Sequence, residues 1–255
     1  MTALITGASS GIGRDMARVL AEKGHDLILT ARRLEPMEKL KAELESKFKI
    51  NIEIITQDLS TSEGCFALYE KIKGKKLDIL INNAGFGVFG AFSETPLDRE
   101  LEMIDTNVVA VHILTKLILA DMKTQNFGYI LNVASSAAFL PGPLFSSYYA
   151  SKAYILRLTQ SVGYELKKEG SNVYLGALCP GPVATEFDKV ANVSFSNKSL
   201  SSEFVAKYAI EQMFKRKKVI IPGASMRLGK FGMRFLPDEL LMKITYNIQH
   251  KKYGK

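Results

Sequence analysis

The chain has 255 residues, of which 47% are apolar and 24% charged. That size and balance fit one α/β domain with a sizeable core and exclude a disordered segment. Its net charge of +8 is concentrated: residues 215–255 hold eleven Lys or Arg against Asp238 and Glu239, which leaves the first 214 residues at −1. This partition, with no stripe of basic residues interleaved with stacking aromatics in the body, argues against a nucleic-acid partner. Cys65 and Cys179 lack paired spacing and His25, His112 and His250 are scattered, so neither a disulfide framework nor a metal site is expected.

The first strand, Ala3–Thr6, runs into a turn reading Thr6-Gly7-Ala8-Ser9-Ser10-Gly11-Ile12-Gly13, and a helical pattern over 11–29 starts at once behind it. Glycines let backbone turn tightly and approach a ligand, and the unpaired N–H groups of the following helix favour an anion. A phosphate site is expected there, at spacing G-x-x-x-G-x-G. A leader peptide is not, because strand and turn occupy the place of its apolar region, and a cytoplasmic protein is the expectation.

Strands then follow at Asp26–Ala31, Asn51–Gln57, Leu77–Asn82, Gly128–Ala134, Asn172–Leu178 and Lys218–Ile221, with helices at 35–48, 61–73, 98–125, 151–169 and 201–216. The alternation predicts a Rossmann-like, doubly wound parallel sheet of about seven strands covered on both faces, and continuous runs such as Ile79-Leu80-Ile81 suit strands buried on both sides. The apolar stretch Val108 to Ala120 is broken by His112 and Lys116 and is shorter than the roughly 20 residues a membrane span needs. In such sheets ligands sit outside the carboxyl ends of the strands. Four motifs stand there: Asn82-Asn83-Ala84-Gly85 after the fourth strand, Ser135-Ser136 and then Tyr148-Tyr149-Ala150-Ser151-Lys152 after the fifth, and Pro180-Gly181-Pro182 after the sixth.

Tyr-x-x-x-Lys occurs three times, at Tyr148/Lys152, Tyr69/Lys73 and Tyr164/Lys168. Each spacing puts both side chains on one helix face, so a third partner must choose among them. Ser135 precedes Tyr148 by 13 residues and ends a strand, from which a loop can bring the two together. Ser151 precedes Tyr164 by the same interval within one predicted helix, roughly 20 Å away. Tyr69 and Tyr164 are therefore read as surface pairs. Reducing a ketone leaves charge developing on its oxygen, which calls for an acid and a hydrogen-bond donor. Tyr148 can supply the proton, and the Lys152 charge favours its phenolate in the reverse direction.

With the opening turn, these motifs resemble the short-chain dehydrogenase/reductase family over about the first 220 residues. The resemblance implies an oxidoreductase that transfers a hydride between a nicotinamide cofactor and a carbonyl or secondary alcohol. It further implies that Ser135 holds the substrate oxygen, that Lys152 also binds the nicotinamide ribose and that Asn107 supports a proton relay. Cofactor contacts are expected from Gly7, Ser9, Ser10, Gly11, Ile12, Gly13, Asp58, Leu59, Asn83, Ala84, Gly85, Tyr148, Lys152, Pro180, Gly181, Val183 and Thr185. The second strand ends at Arg32-Arg33 with no acid for a ribose 2′-OH, so NADP(H) is expected, its 2′-phosphate held by Arg32 or, as second choice, Arg33. Ala138 departs from the glycine many relatives carry there, which disfavours positive φ.

Three apolar segments, 86–92, 139–145 and 187–195, could line a pocket for a lipophilic ketone, 3-oxoacyl thioester or steroid, or pack against another subunit in a homodimer or homotetramer. The chain is expected to divide into a catalytic body, 1–224, and a basic extension, 225–255, in which Leu240, Leu241, Ile244 and Ile248 fall at helical spacing. That extension reads as a flap over the body, a subunit contact or a peripheral patch for acidic membranes. A catalytically inactive nucleotide-sensing or scaffold protein is the alternative function. A sugar-nucleotide epimerase would carry a larger C-terminal domain and another glycine spacing.

Overall fold

The computed structural model describes residues 1–187, 199–233 and 235–251. The strands are β1 (Thr2–Thr6), β2 (Asp26–Ala31), β3 (Ile52–Thr56), β4 (Ile79–Asn82), β5 (Gly128–Val133), β6 (Val173–Leu178), a short pair β7 (Val183–Ala184) and β8 (Leu200–Ser201), and β9 (Val219–Ile220). Seven of them form one parallel sheet in the order β3-β2-β1-β4-β5-β6-β9, while β7 and β8 pair with each other. The chain builds outward from β1 on one side and then crosses to β4 on the other. Strand order therefore reverses between β1 and β4, where such sheets open a crevice at their carboxyl ends.

Neighbouring residues of each central strand enter opposite layers. Ile5, Leu29 and Ile81 pack with Met16 and Leu20 of α1 (Gly11–Glu22) and with Val205 and Ala209 of a helix that starts at Ser202. Leu4, Ile28 and Leu80 pack on the other face with Leu68 of α3 (Ser62–Ile72) and Leu114 and Ile118 of α5 (Ala110–Gln125). Both faces being covered, the strands read as unbroken apolar runs rather than alternating ones. The remaining helices are α2 (Leu34–Lys47), α4 (Leu97–Ile104), α6 (Ser146–Lys168), α7 (Ser202–Phe214), α8 (Ala224–Met233) and α9 (Asp238–His250).

The structure moves three predicted boundaries. The first helix stops at Glu22 rather than 29, because the Lys23 and Gly24 N–H groups close on Leu20 and Ala21 carbonyls and Gly24 takes φ +75°, freeing the chain to start β2. The helix predicted from 151 begins at Ser146, which places Tyr148 in its first turn. The helix predicted over 98–125 is interrupted by a π-helical segment, Asp105–Val109. Its apolar residues Val111, Leu114, Ile118 and Met122 are buried against the sheet, so the hydrophobicity of this long stretch belongs to the core. β7, β8 and α8 were not anticipated, since two-residue strands carry no periodicity. Of the expected apolar segment 187–195, only Phe187 lies within the described residues.

Candidate active site

The opening turn is built by close approach. Gly7 has φ +66°, and a Cβ there would stand 2.8 Å from the Ala84 Cα; a Cβ on Gly13 would stand 2.5 Å from the Gly7 carbonyl oxygen. Side chains lock the turn from behind: Asn83 Nδ2 donates to the Thr6 and Gly7 carbonyls at 3.0 and 3.2 Å, and Thr6 Oγ1 accepts from the N–H groups of Asn83 and Ala84. Ser10 stands at the N-cap of α1 without a side-chain cap bond, and no acid occupies the first turn. The leading N–H groups of α1 thus have neither a side-chain cap from Ser10 nor a carboxylate in their own turn, the condition under which a helix end receives an anion.

A cavity of about 680 Å³ runs from this turn across the carboxyl ends of the strands. Every predicted site residue lines it except Gly13, which supports the turn, and Asn107. Tyr148 is buried, stacked on Phe145 at 4.5 Å between ring centres and tilted against Phe187 at 5.4 Å. Ser135 is fixed because its hydroxyl accepts from the Ala137 N–H at 3.1 Å, capping the 3-10 turn Ser136–Phe139, and its influence pulls the Tyr148 phenol pKa down. Turn cap and site partner are one placement. Ser136 also lines the cavity, yet Ser135 is the serine that influences the Tyr148 phenol.

Lys152 is buried one turn further along α6; its Nζ donates to the Val133 carbonyl at 3.0 Å and lies 5.8 Å from the Tyr148 ring centre. Burial pushes the Tyr148 phenol up to about 12, with the Ser135 hydrogen bond pulling the other way. Burial lowers the Lys152 ammonium to about 8, opposed by the neighbouring Cys179. At neutral pH the tyrosine therefore holds its proton and the lysine its charge. Cys179, itself pushed up to about 12 by burial, stays a neutral thiol.

The decoy pairs sit elsewhere. The Tyr69 phenol donates to Asp121 at 3.0 Å, while Tyr164 is exposed with Lys168 over its ring.

Asn107 lies in the π-helical segment, fully buried, with its amide spent on backbone. Oδ1 accepts from the Phe86 N–H at 3.1 Å, and Nδ2 donates to the Phe86 carbonyl at 2.9 Å and to Ser151 Oγ at 3.1 Å. Its side chain braces the loop that follows Gly85 rather than presenting a free polar group to the cavity. The widened π turn supplies that placement.

Arg32 and Arg33 both face the cavity, already paired with carboxylates. Arg32 Nη1 donates to Glu102 at 2.8 Å; Arg33 Nη2 donates to Glu186 at 2.7 Å and to Ser9 Oγ in the glycine turn at 3.3 Å. Asp58 stands exposed on the rim and Leu59 is buried beneath it. Ala138 belongs to the 3-10 turn and is absent from the positive-φ residues, so the extra methyl is accommodated without strain.

Sequence reasoning missed the far wall. Tyr149 lines the cavity beside Tyr148, and its hydroxyl accepts from Nε2 of Gln249, on α9, at 2.8 Å. Of the apolar residues at helical spacing in α9, the body takes Leu241, with Thr245 and Gln249 beside it, while Leu240, Ile244 and Ile248 stay exposed. No local pattern could identify a face whose buried members include Thr and Gln.

An uncapped helix end behind a glycine cradle, two arginines near it and a buried Tyr-Lys-Ser group further along one cavity fit a nicotinamide dinucleotide. Comparison with known proteins agrees. The family model for short chain dehydrogenase matches residues 1–194. The 17-beta-hydroxysteroid dehydrogenase type 3 of Homo sapiens is 32% identical over 80% of this chain, and the very-long-chain 3-oxoacyl-CoA reductase of Anas platyrhynchos is 30% identical over 76%. The chain spans 65% and 63% of the length of these two relatives, less than two thirds. Among solved structures, the short-chain dehydrogenase from Sphingobium yanoikuyae in complex with NADPH is similar at a TM-score of 0.83 and 28% identity, covering 92% of this chain and 96% of that one. A short chain dehydrogenase/reductase from Burkholderia phymatum in complex with NAD is similar at 0.81 and 25% identity, covering 90% and 91%.

Proposed function

This chain belongs to the short chain dehydrogenase family, and from that premise we propose that it is an NADPH-dependent reductase of lipophilic carbonyl compounds: ketones, 3-oxoacyl thioesters or steroids. The observation that carries the reading is the buried Tyr148, one turn from Lys152, sharing with Ser135 a cavity walled by Phe86, Phe145, Phe187 and Tyr149. Four aromatic side chains around a single proton donor suit an apolar substrate with one carbonyl to place.

Gly7, the α1 N-terminus and Asn83–Gly85 would hold the pyrophosphate and adenosine half of the cofactor, and Arg32 or Arg33 the 2′-phosphate. Bound there, a reduced nicotinamide supplies hydride to the carbonyl carbon. Ser135 donates a hydrogen bond to the carbonyl oxygen, and Tyr148, protonated at neutral pH, gives that oxygen its proton. The Lys152 charge stabilises the phenolate left behind and so eases both directions. The Ser135 cap and the Lys152 bond to Val133 fix both partners before substrate arrives, which limits reorganisation during the reaction.

The test is NADPH oxidation across ketones, ketoacyl thioesters and steroids, with Tyr148→Phe beside the unaltered chain. Expected is turnover on apolar carbonyls that Tyr148→Phe lowers by about 10²–10⁴-fold, the usual worth of a positioned acid, while nucleotide binding persists. Activity confined to small polar sugars, or retained by Tyr148→Phe, refutes the reading. Equal efficiency with NADH refutes its cofactor half.

A further inference from the structure

We propose that the face formed by α8 and α9 docks on an anionic lipid surface, so that the cavity opens toward the bilayer. The docking stands apart from the reaction assigned above; only entry of substrate from the lipid rests on that reading.

Helix α8 has no buried residue. Leu228 is 73% exposed and Phe231 59%, with Phe235, just beyond the helix, at 72%. Spacings of three and four align them along one side, and the Phe231 and Phe235 rings meet edge to face at 5.4 Å. On α9 the body takes Leu241, Thr245 and Gln249, which leaves Leu240, Ile244 and Ile248 as a second exposed row at spacings of four. Single exposed apolar side chains are ordinary; two exposed rows on consecutive helices are not.

Charge chooses the occupant. Residues 224–255 carry seven Lys or Arg against Asp238 and Glu239, a net +5. Arg227 and Lys243 are exposed on the same two helices, and the only two acids stand together in the first turn of α9. Two copies of so basic a segment repel each other, whereas anionic headgroups attract it and the acyl boundary accepts Leu, Ile and Phe.

The face also abuts the site. Lys230 of α8 lies 4.7 Å from the Phe139 ring centre, in the turn that starts after Ser135, and Gln249 of α9 holds Tyr149. Ile248 belongs both to the exposed row and to the cavity lining. A lipophilic molecule in the outer bilayer would meet the cavity wall without crossing water.

The full chain is mixed with vesicles of phosphatidylcholine alone or of phosphatidylcholine with phosphatidylglycerol, and the bound fraction is read by flotation. Expected is salt-sensitive partition onto the mixed vesicles, which Leu228→Asp with Phe231→Asp abolishes. Arg227→Gln with Lys243→Gln weakens it about thirtyfold, at roughly a factor of five per basic residue. NADPH oxidation with a water-soluble ketone stays unchanged in both variants, which separates docking from the assigned chemistry. Since α8 buries no side chain, the first pair leaves thermal melting in place; should it not fold, the second pair and the salt titration decide. Equal partition on both vesicle types, none on either, or partition indifferent to the substitutions overturns the proposal. So does a concentration-dependent dimer that Leu228→Asp with Phe231→Asp dissolves, which would assign the face to a second copy.

Discussion

Lys152→Met should stabilise the fold while removing activity. Burial takes the ammonium from its ordinary 10.5 to about 8, which at 1.36 kcal/mol per pH unit amounts to about 3 kcal/mol against the charged form. Methionine fills a similar volume without charge, and losing the bond to the Val133 carbonyl returns about 1 kcal/mol. The net gain at pH 7 is about 2 kcal/mol, which raises Tm by roughly 4–8 °C for a chain of this size. The pH dependence supplies the decisive check. Below pH 8 both folded and unfolded lysine are charged, so the penalty is complete. Between 8 and 10.5 the unfolded chain binds more protons, and the parent's stability therefore rises with pH. The advantage of Lys152→Met should shrink through that window and vanish near pH 10, followed by thermal melts of both proteins at pH 7, 8.5 and 10. A variant no more stable than its parent at pH 7, or a gain independent of pH, would refute a buried, uncompensated ammonium.

Other substitutions address the rest of the site. Asn107→Ala leaves the buried N–H and carbonyl of Phe86 without partners and should cost about 3 kcal/mol, read as a lower urea midpoint at constant m-value. Gly13→Ala drives a methyl into the Gly7 carbonyl and Asn83 Nδ2 and should abolish nucleotide binding by calorimetry; unaltered affinity would show that the turn relaxes freely. Replacing Arg32 and Arg33 together by Ala should raise KM for NADPH by roughly ten- to hundredfold and leave NADH unchanged, the worth of charge-assisted bonds to one phosphate. An equal loss with both nucleotides would remove the arginines from phosphate recognition.

The sequence displayed the sheet because burying both faces forces continuous apolar runs, and it displayed the turn because only glycine tolerates the approaches at Gly7 and Gly13. What separates Tyr148 from Tyr69 and Tyr164 is Ser135, a constraint between elements rather than within one helix, and Ser135, Tyr148 and Lys152 line one cavity while Tyr69 pairs with Asp121. What stayed hidden shares a cause. Asn107's engagement with Phe86, the carboxylate partners of Arg32 and Arg33, and the buried face of α9 all depend on residues remote in the chain. Helical periodicity reports that a face exists; it cannot report which face the body will take when Gln249 has a phenol to meet.

The bond from Gln249 to Tyr149 also imposes an order of assembly during synthesis. The glycine turn, Ser135, Tyr148 and Lys152 emerge from the ribosome well before the residue that clasps the far wall. With 97 positions between Lys152 and Gln249, the delay is roughly 5–20 s at ordinary translation speed. A nascent chain paused in that interval holds Ser135, Tyr148 and Lys152 and the glycine turn but not the residue that clasps Tyr149. The far wall of the cavity is thus completed only once α9 has joined it.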